Sequence, residues 1–161
     1  LSEGNFASSR GGLQTVMVAD GPRDDNNASG ARAPFFLPPS LSIAFDDIDA
    51  QHQALIDIIN LAAHAPPQLA ALLAQLNTTL AHHFAHEEDV MRAQGYPQLA
   101  EHKLHHAHIL GRVTEITDGL SRSGEPLRSS MENVFTNLID DILRADLPFK
   151  TFLQGKGLVK S

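Results

Sequence analysis

A chain of 161 residues, 42% of them apolar, is long enough for one domain with a modest core. Its formal net charge of −7 argues against a nucleic-acid binder and against a polybasic membrane anchor. Cysteine is absent, which excludes disulfides, thiolate metal sites and cysteine nucleophiles, and no apolar run approaches the roughly 18–20 residues of a membrane span.

Residues 1–40 are rich in Gly, Ser, Asn, Asp and Pro and hold one short apolar patch, LQTVMV. Such a segment buries too little surface to offset its ordering entropy. It is expected to be a flexible tail or an appended remnant, and its opening Leu1 fits a cut or expressed fragment. No charged region followed by an apolar one begins the chain, so no secretory signal is expected and cytoplasm is the default location.

From residue 41 onward, apolar side chains recur at helical spacing in four stripes. The first, Ile48, His52, Leu55, Ile56 and Ile59, ends before Pro66 and Pro67. The second runs Leu69, Leu72, Leu73, Leu76, Leu80, His83, Phe84, Glu87 and Met91, and stops at AQGYP. The third runs Leu99, His102, His106, Ile109, Leu110, Val113, Ile116 and Leu120, and stops at DGLSRSGEP. The fourth, Met131, Val134, Leu138, Asp141, Ile142 and Ala145, ends near ADLP. No stretch alternates convincingly with period two. The expected fold is all-α, an antiparallel up-and-down four-helix bundle over residues 41–153. Residues 154–161 then form a short tail that would lead to a removed output domain.

Seven histidines fall between His82 and His108, and the stripes sort them. Residues three, four and seven apart share a helix face. His83 and Glu87 follow the apolar line of Leu76, Leu80 and Met91, whereas His82 and His86 follow the polar line of Gln75, Thr79 and Asp89. His102 and His106 continue Leu99, Ile109 and Val113, whereas His105 and His108 share their side with Gln98, Glu101, Arg112 and Glu115. His52 lies on the apolar line of the first helix. His64, His82, His86, His105 and His108 are therefore expected in solvent. On the fourth helix Asp141 lies inward, Asp146 flanks the same stripe, and Asp140 faces out.

One inward histidine is usually a hydrogen-bonded core residue, and a leucine stripe is simply a core. Several inward imidazoles converging with carboxylates from four helices are different. Buried polar groups must be paired or bound to metal, and an inward aspartate is expensive unless it meets a cation. Imidazoles and carboxylates without sulfur suit iron, with manganese or zinc as alternatives. The set oversupplies one ion and suits two bridged by carboxylates. The Glu-x-x-His pairs of ferritin-like di-iron proteins are missing, because Val90 follows Glu87 at that spacing and Leu104 follows Glu101.

IDAQHQAL at 48–55, HFAHEEDVM at 83–91, GYPQLAEHKLHH at 95–106 and ILRADLPF at 142–149 resemble the bacterial hemerythrins. The resemblance implies two iron ions with an oxo or hydroxo bridge. One would be held by His52 and His83 and the other by His102 and His106, with Glu87 and Asp146 spanning both. The family's closing helix carries His-x-x-x-x-Asp, but Asp141 stands here where that histidine belongs. Asn137 replaces the family's usual Trp, and Ile109 a frequent Phe. Asp141 is a candidate ligand of the iron that the family normally saturates.

The expected function is binding of oxygen, or sensing of oxygen, nitric oxide, peroxide or redox state, with regulation of an attached signalling domain such as a diguanylate cyclase. The chain itself is not expected to be an enzyme. Leu55, Ile59, Leu80 and Ile109 are candidate walls of a gas pocket. The alternatives are an oxygen carrier or storage protein, a di-iron peroxidase or oxidase, and a zinc-binding or metal-free interaction module. Nucleophilic hydrolase chemistry has no support, since neither Gly-x-Ser-x-Gly nor a phosphate-cradling Gly loop is present.

Overall fold

The computed structural model describes residues 34–64, 66–123 and 127–159. Most of the expected tail, residues 1–33, lies outside them. The lead-in already lies against the bundle before residue 41: Phe35 N–H donates to Asn60 Oδ1 at 2.8 Å, and its ring stacks on Phe135. A 3-10 turn, Pro39–Leu41, follows. The Asp49 carboxylate then accepts from Ser42 Oγ and from the backbone N–H groups of Ile43 and Ala44. That carboxylate ties the lead-in to the start of the first helix, where Asp46 and Asp47 also complement the helix dipole.

Four long helices follow: α1 Asp46–His64, α2 Leu69–Gln94, α3 Leu99–Ser123 and α4 Leu127–Asp141. Each packs against its sequence neighbours, and α1 closes the ring against α4. Short connections between neighbouring helices make this the expected antiparallel up-and-down bundle. The α2–α3 corner is a Schellman cap. Gly95 sits in the left-handed region at φ 68°, its N–H donates to Arg92 O, and Tyr96 N–H donates to Met91 O. Met91 and Tyr96 pack in one apolar cluster, which completes the motif.

The fourth helix does not end at ADLP. After Asp141 it widens into a π-helical segment, Ile142–Asp146, and continues as α5, Leu147–Gly155. Pro148 falls in the first turn of α5, just after the π-helical segment, a position that suits its fixed φ. Phe149 and Leu153 are fully buried, so this extension belongs to the core. No described helix is long and apolar enough to cross a membrane.

The apolar interior is divided. One cluster holds Leu55, Leu76, Leu80, Phe84, Ile109, Met131, Leu138 and Ile142, and the other holds Ile43, Ile48, Met91, Tyr96, Phe149 and Leu153. On α1, α2 and α3, and on the continuation of α4, the break falls at a buried polar side chain. His52 lies between Ile48 and Leu55, and Glu87 between Phe84 and Met91. His102 and His106 precede Ile109, and Asp146 precedes Phe149. A polar layer is thus sandwiched between two greasy ones.

Candidate metal centre

Helical spacing builds this layer. His83 and Glu87 are one turn apart on α2, as are His102 and His106 on α3, so each pair shares a face. Asp141 and Asp146 are five apart, which on a regular α-helix would separate them by roughly 140°. The π-helical turn absorbs the extra residue and lets both carboxylates face inward. His52, His83, Glu87, His102, His106, Asp141 and Asp146 are all buried.

The ligand atoms of Glu87, His102, His106 and Asp146 lie within 4.8 Å of one another. Glu87 Oε2 is 3.3 Å from His106 Nε2, 3.5 Å from His102 Nε2 and 3.9 Å from His83 Nε2. Asp146 faces His52 Nε2 at 3.4 Å and His102 Nε2 at 3.7 Å through its two oxygens. Asp141 Oδ2 stands 4.0 Å from His106 Nε2. Most of these separations are long for hydrogen bonds. They match two ligands that each sit about 2.1 Å from a shared ion and hence about 3–4 Å apart.

Among the described residues, no hydrogen bond reaches Nε2 of His52, His83, His102 or His106, or either carboxylate oxygen of Glu87, Asp141 or Asp146. Each such buried group costs roughly 1–3 kcal/mol when left unmet. Summed over the layer, that rivals the whole stability of a typical domain, about 5–15 kcal/mol. Cations facing these atoms remove the cost, so the donor set fits a bound metal.

The opposite ring edges are already committed. His83 Nδ1–H donates to Gln51 Oε1 at 3.0 Å, and His106 Nδ1–H donates to Glu88 Oε1 at 3.3 Å. Both bonds leave the Nε2 lone pair directed inward, the tautomer a metal needs. Glu88 also accepts from Lys103. Burial opposes its ionisation, but the bonds from Lys103 and His106 outweigh that and hold it below the usual carboxylate range. The His106 ring stacks on Phe84, centroids 3.9 Å apart. Gln51, Glu88 and Phe84 have no place in the candidate set read from the sequence. In the sequence, the only signal for Gln51 and Glu88 is adjacency to His52 and Glu87, and Phe84 reads as one more member of the second apolar stripe.

Electrostatics sorts the layer. Burial lowers the His83 pKa to about 3 despite Glu87, so this imidazole is neutral. Burial also works against ionisation of Glu87, yet His102, His106 and His83 beside it keep the carboxylate charged. Asp146 is raised by burial and by Glu87, and Asp141 is pushed up to about 10 by burial, Asp146, Glu87 and Asp140.

Two expected surface histidines are in fact partly inside. His86 and His105 are half-buried, and each has a buried Nε2. Their lines on the helix are polar, but a long ring can lean across a helix–helix groove. His64, His82 and His108 are exposed as expected. Leu55, Ile59, Leu80 and Ile109 all pack in the larger apolar cluster. A cavity of about 400 Å³ lies elsewhere, near the start of α3, with Tyr96, His102, His105, Arg144, Ala145 and Pro148 in its wall.

A family model described as the hemerythrin HHE cation binding domain matches residues 44–146. A bacteriohemerythrin of Stenotrophomonas maltophilia (strain R551-3) is 30% identical over 111 residues, which covers 66% of this chain and 72% of the relative. A myohemerythrin of Riftia pachyptila is 31% identical over 85 residues, covering 53% of this chain and 70% of the relative. The bundle, its buried imidazole–carboxylate layer and a family match spanning most of the chain lead to one assignment: this protein belongs to the hemerythrin family.

Proposed function

We propose that the polar layer holds two iron ions and that the domain binds oxygen as a redox-responsive sensor. The observation that carries this reading is the buried convergence of Glu87, His102, His106 and Asp146, with His52, His83 and Asp141 around it. In this reading His52 and His83 would hold one ion, and His102, His106 and Asp141 the other. Glu87 and Asp146 would be available to both, since each faces imidazoles from two helices. When bound, paired ferrous ions supply a reversible two-electron couple.

The chain's own groups then set how that couple behaves. Gln51 and Glu88 orient His83 and His106, and the two apolar clusters exclude bulk water from the layer. Asp141 would supply a carboxylate where the family resemblance implies a histidine, and its negative charge would favour the more highly charged, oxidised ions. An easily oxidised centre suits a sensor better than a store, and an output domain attached beyond α5 is the corresponding partner. The cavity beside His102 supports a second reading, a peroxidase that admits small oxidants by this route.

The test is redox cycling of the iron-loaded protein and of Asp141→His, followed by optical absorption. A sensor returns to its oxidised spectrum promptly in air, and the histidine variant does so several-fold more slowly. A lasting oxygenated spectrum that reverses under vacuum would favour a carrier. Sustained peroxide turnover with a reductant would favour the enzyme.

A further inference from the structure

His105 stands outside the candidate ligand set, yet its ring enters the same layer. Its Nε2 is buried and lies 3.3 Å from Asp141 Oδ1, while the other oxygen of that carboxylate, Oδ2, faces His106 Nε2 at 4.0 Å. Asp141 is therefore approached by two imidazoles, one on each oxygen. Its side chain is completely buried, whereas that of His105 is 25% exposed on the cavity wall. An aspartate reaches less far than the imidazole it replaces, and its two oxygens are equivalent unless a neighbour distinguishes them.

We propose that His105 is a positioning residue for the second ion. Resting on the di-iron reading, its Nε2–H, which has no hydrogen-bond partner among the described residues but stands 3.3 Å from Asp141 Oδ1, would turn to donate to that oxygen and leave Oδ2 as the single metal-directed one. His105 and Asp141 together then do the work of the missing fourth-helix histidine. Outer partners of this kind orient ligands, and their loss typically weakens metal binding about 10–100-fold. His105 lies on α3 next to His106, so the same helix supplies both the ligand and the group that aligns the ligand opposite.

The experiment measures iron per chain and chelator competition for wild type, His105→Ala and His105→Gln, with Mössbauer spectra of each. Alanine suits a partly exposed helix position, and circular dichroism checks that the bundle forms. The expected result is a 10–100-fold weaker second ion in H105A with the first ion retained, and recovery in H105Q, whose amide N–H can replace the donor. Equal affinities and identical spectra for wild type and H105A would overturn the proposal. Failure of H105Q alongside H105A would also overturn it, because His105 would then be a ligand itself. Wild type that takes up no iron would sink the di-iron reading and this inference with it, an outcome distinct from the other two.

Discussion

Asp141 is buried close to Asp146, Glu87 and Asp140, and burial with these neighbours pushes its carboxyl up to about 10. In the metal-free chain the folded state therefore keeps a proton that the unfolded state loses near its ordinary pKa of 3.8. Stability from this group is present at low pH and declines as pH rises toward about 10. His83, lowered to about 3, acts in the other direction and costs stability as pH falls below 6.5. Between these limits the metal-free protein should lose thermal stability from about pH 6.5 to 9, with a slope of up to about 1.4 kcal/mol per pH unit per proton. Iron displaces the proton, so the loaded protein should show no such slope and loading should release protons. Thermal melts across pH and proton release during titration check both. The inward set was legible because His52, His83, His102 and His106 continue apolar stripes. Gln51, Glu88 and His105 were not, because each lies one position off its stripe and acts through a side chain that leans across a groove.

At the scale of elements, two irregularities place the candidate ligands. The π-helical segment turns Asp146 onto the line of Asp141, and it hid from the sequence because periodicity assumes 3.6 residues per turn throughout. The same assumption made Pro148 look like a terminator, when it begins the first turn of a buried continuation. The Gly95 corner, by contrast, was plain in AQGYP. Its left-handed backbone stacks α3 against α2 so that His102 and His106 face Glu87. A Cβ at Gly95 would meet nothing within 4 Å, so Gly95→Ala isolates the backbone cost. Chemical denaturation should show about 1–2 kcal/mol of destabilisation with little change in the slope against denaturant. A loss below a few tenths of a kcal/mol would mean that the corner relaxes to another turn.

Across the described residues, the fold is a bundle whose middle layer gathers buried imidazoles and carboxylates that could hold cations. Two apolar clusters supply the hydrophobic stability, and the polar layer between them spends part of it. Four stripes and three breaks made the bundle legible, since each helix must bury one face. Which metal fills the layer is not a matter of pattern, because imidazole and carboxylate accept several divalent ions. The chemistry therefore turns on occupancy. The most direct measurement is metal content per chain of protein purified from iron-supplied cells, with the near-ultraviolet spectrum before and after dithionite. The account predicts about two irons per chain, with absorption bands that vanish on reduction and return in air. A single ion, zinc, or a colourless metal-free bundle of normal helix content would contradict it.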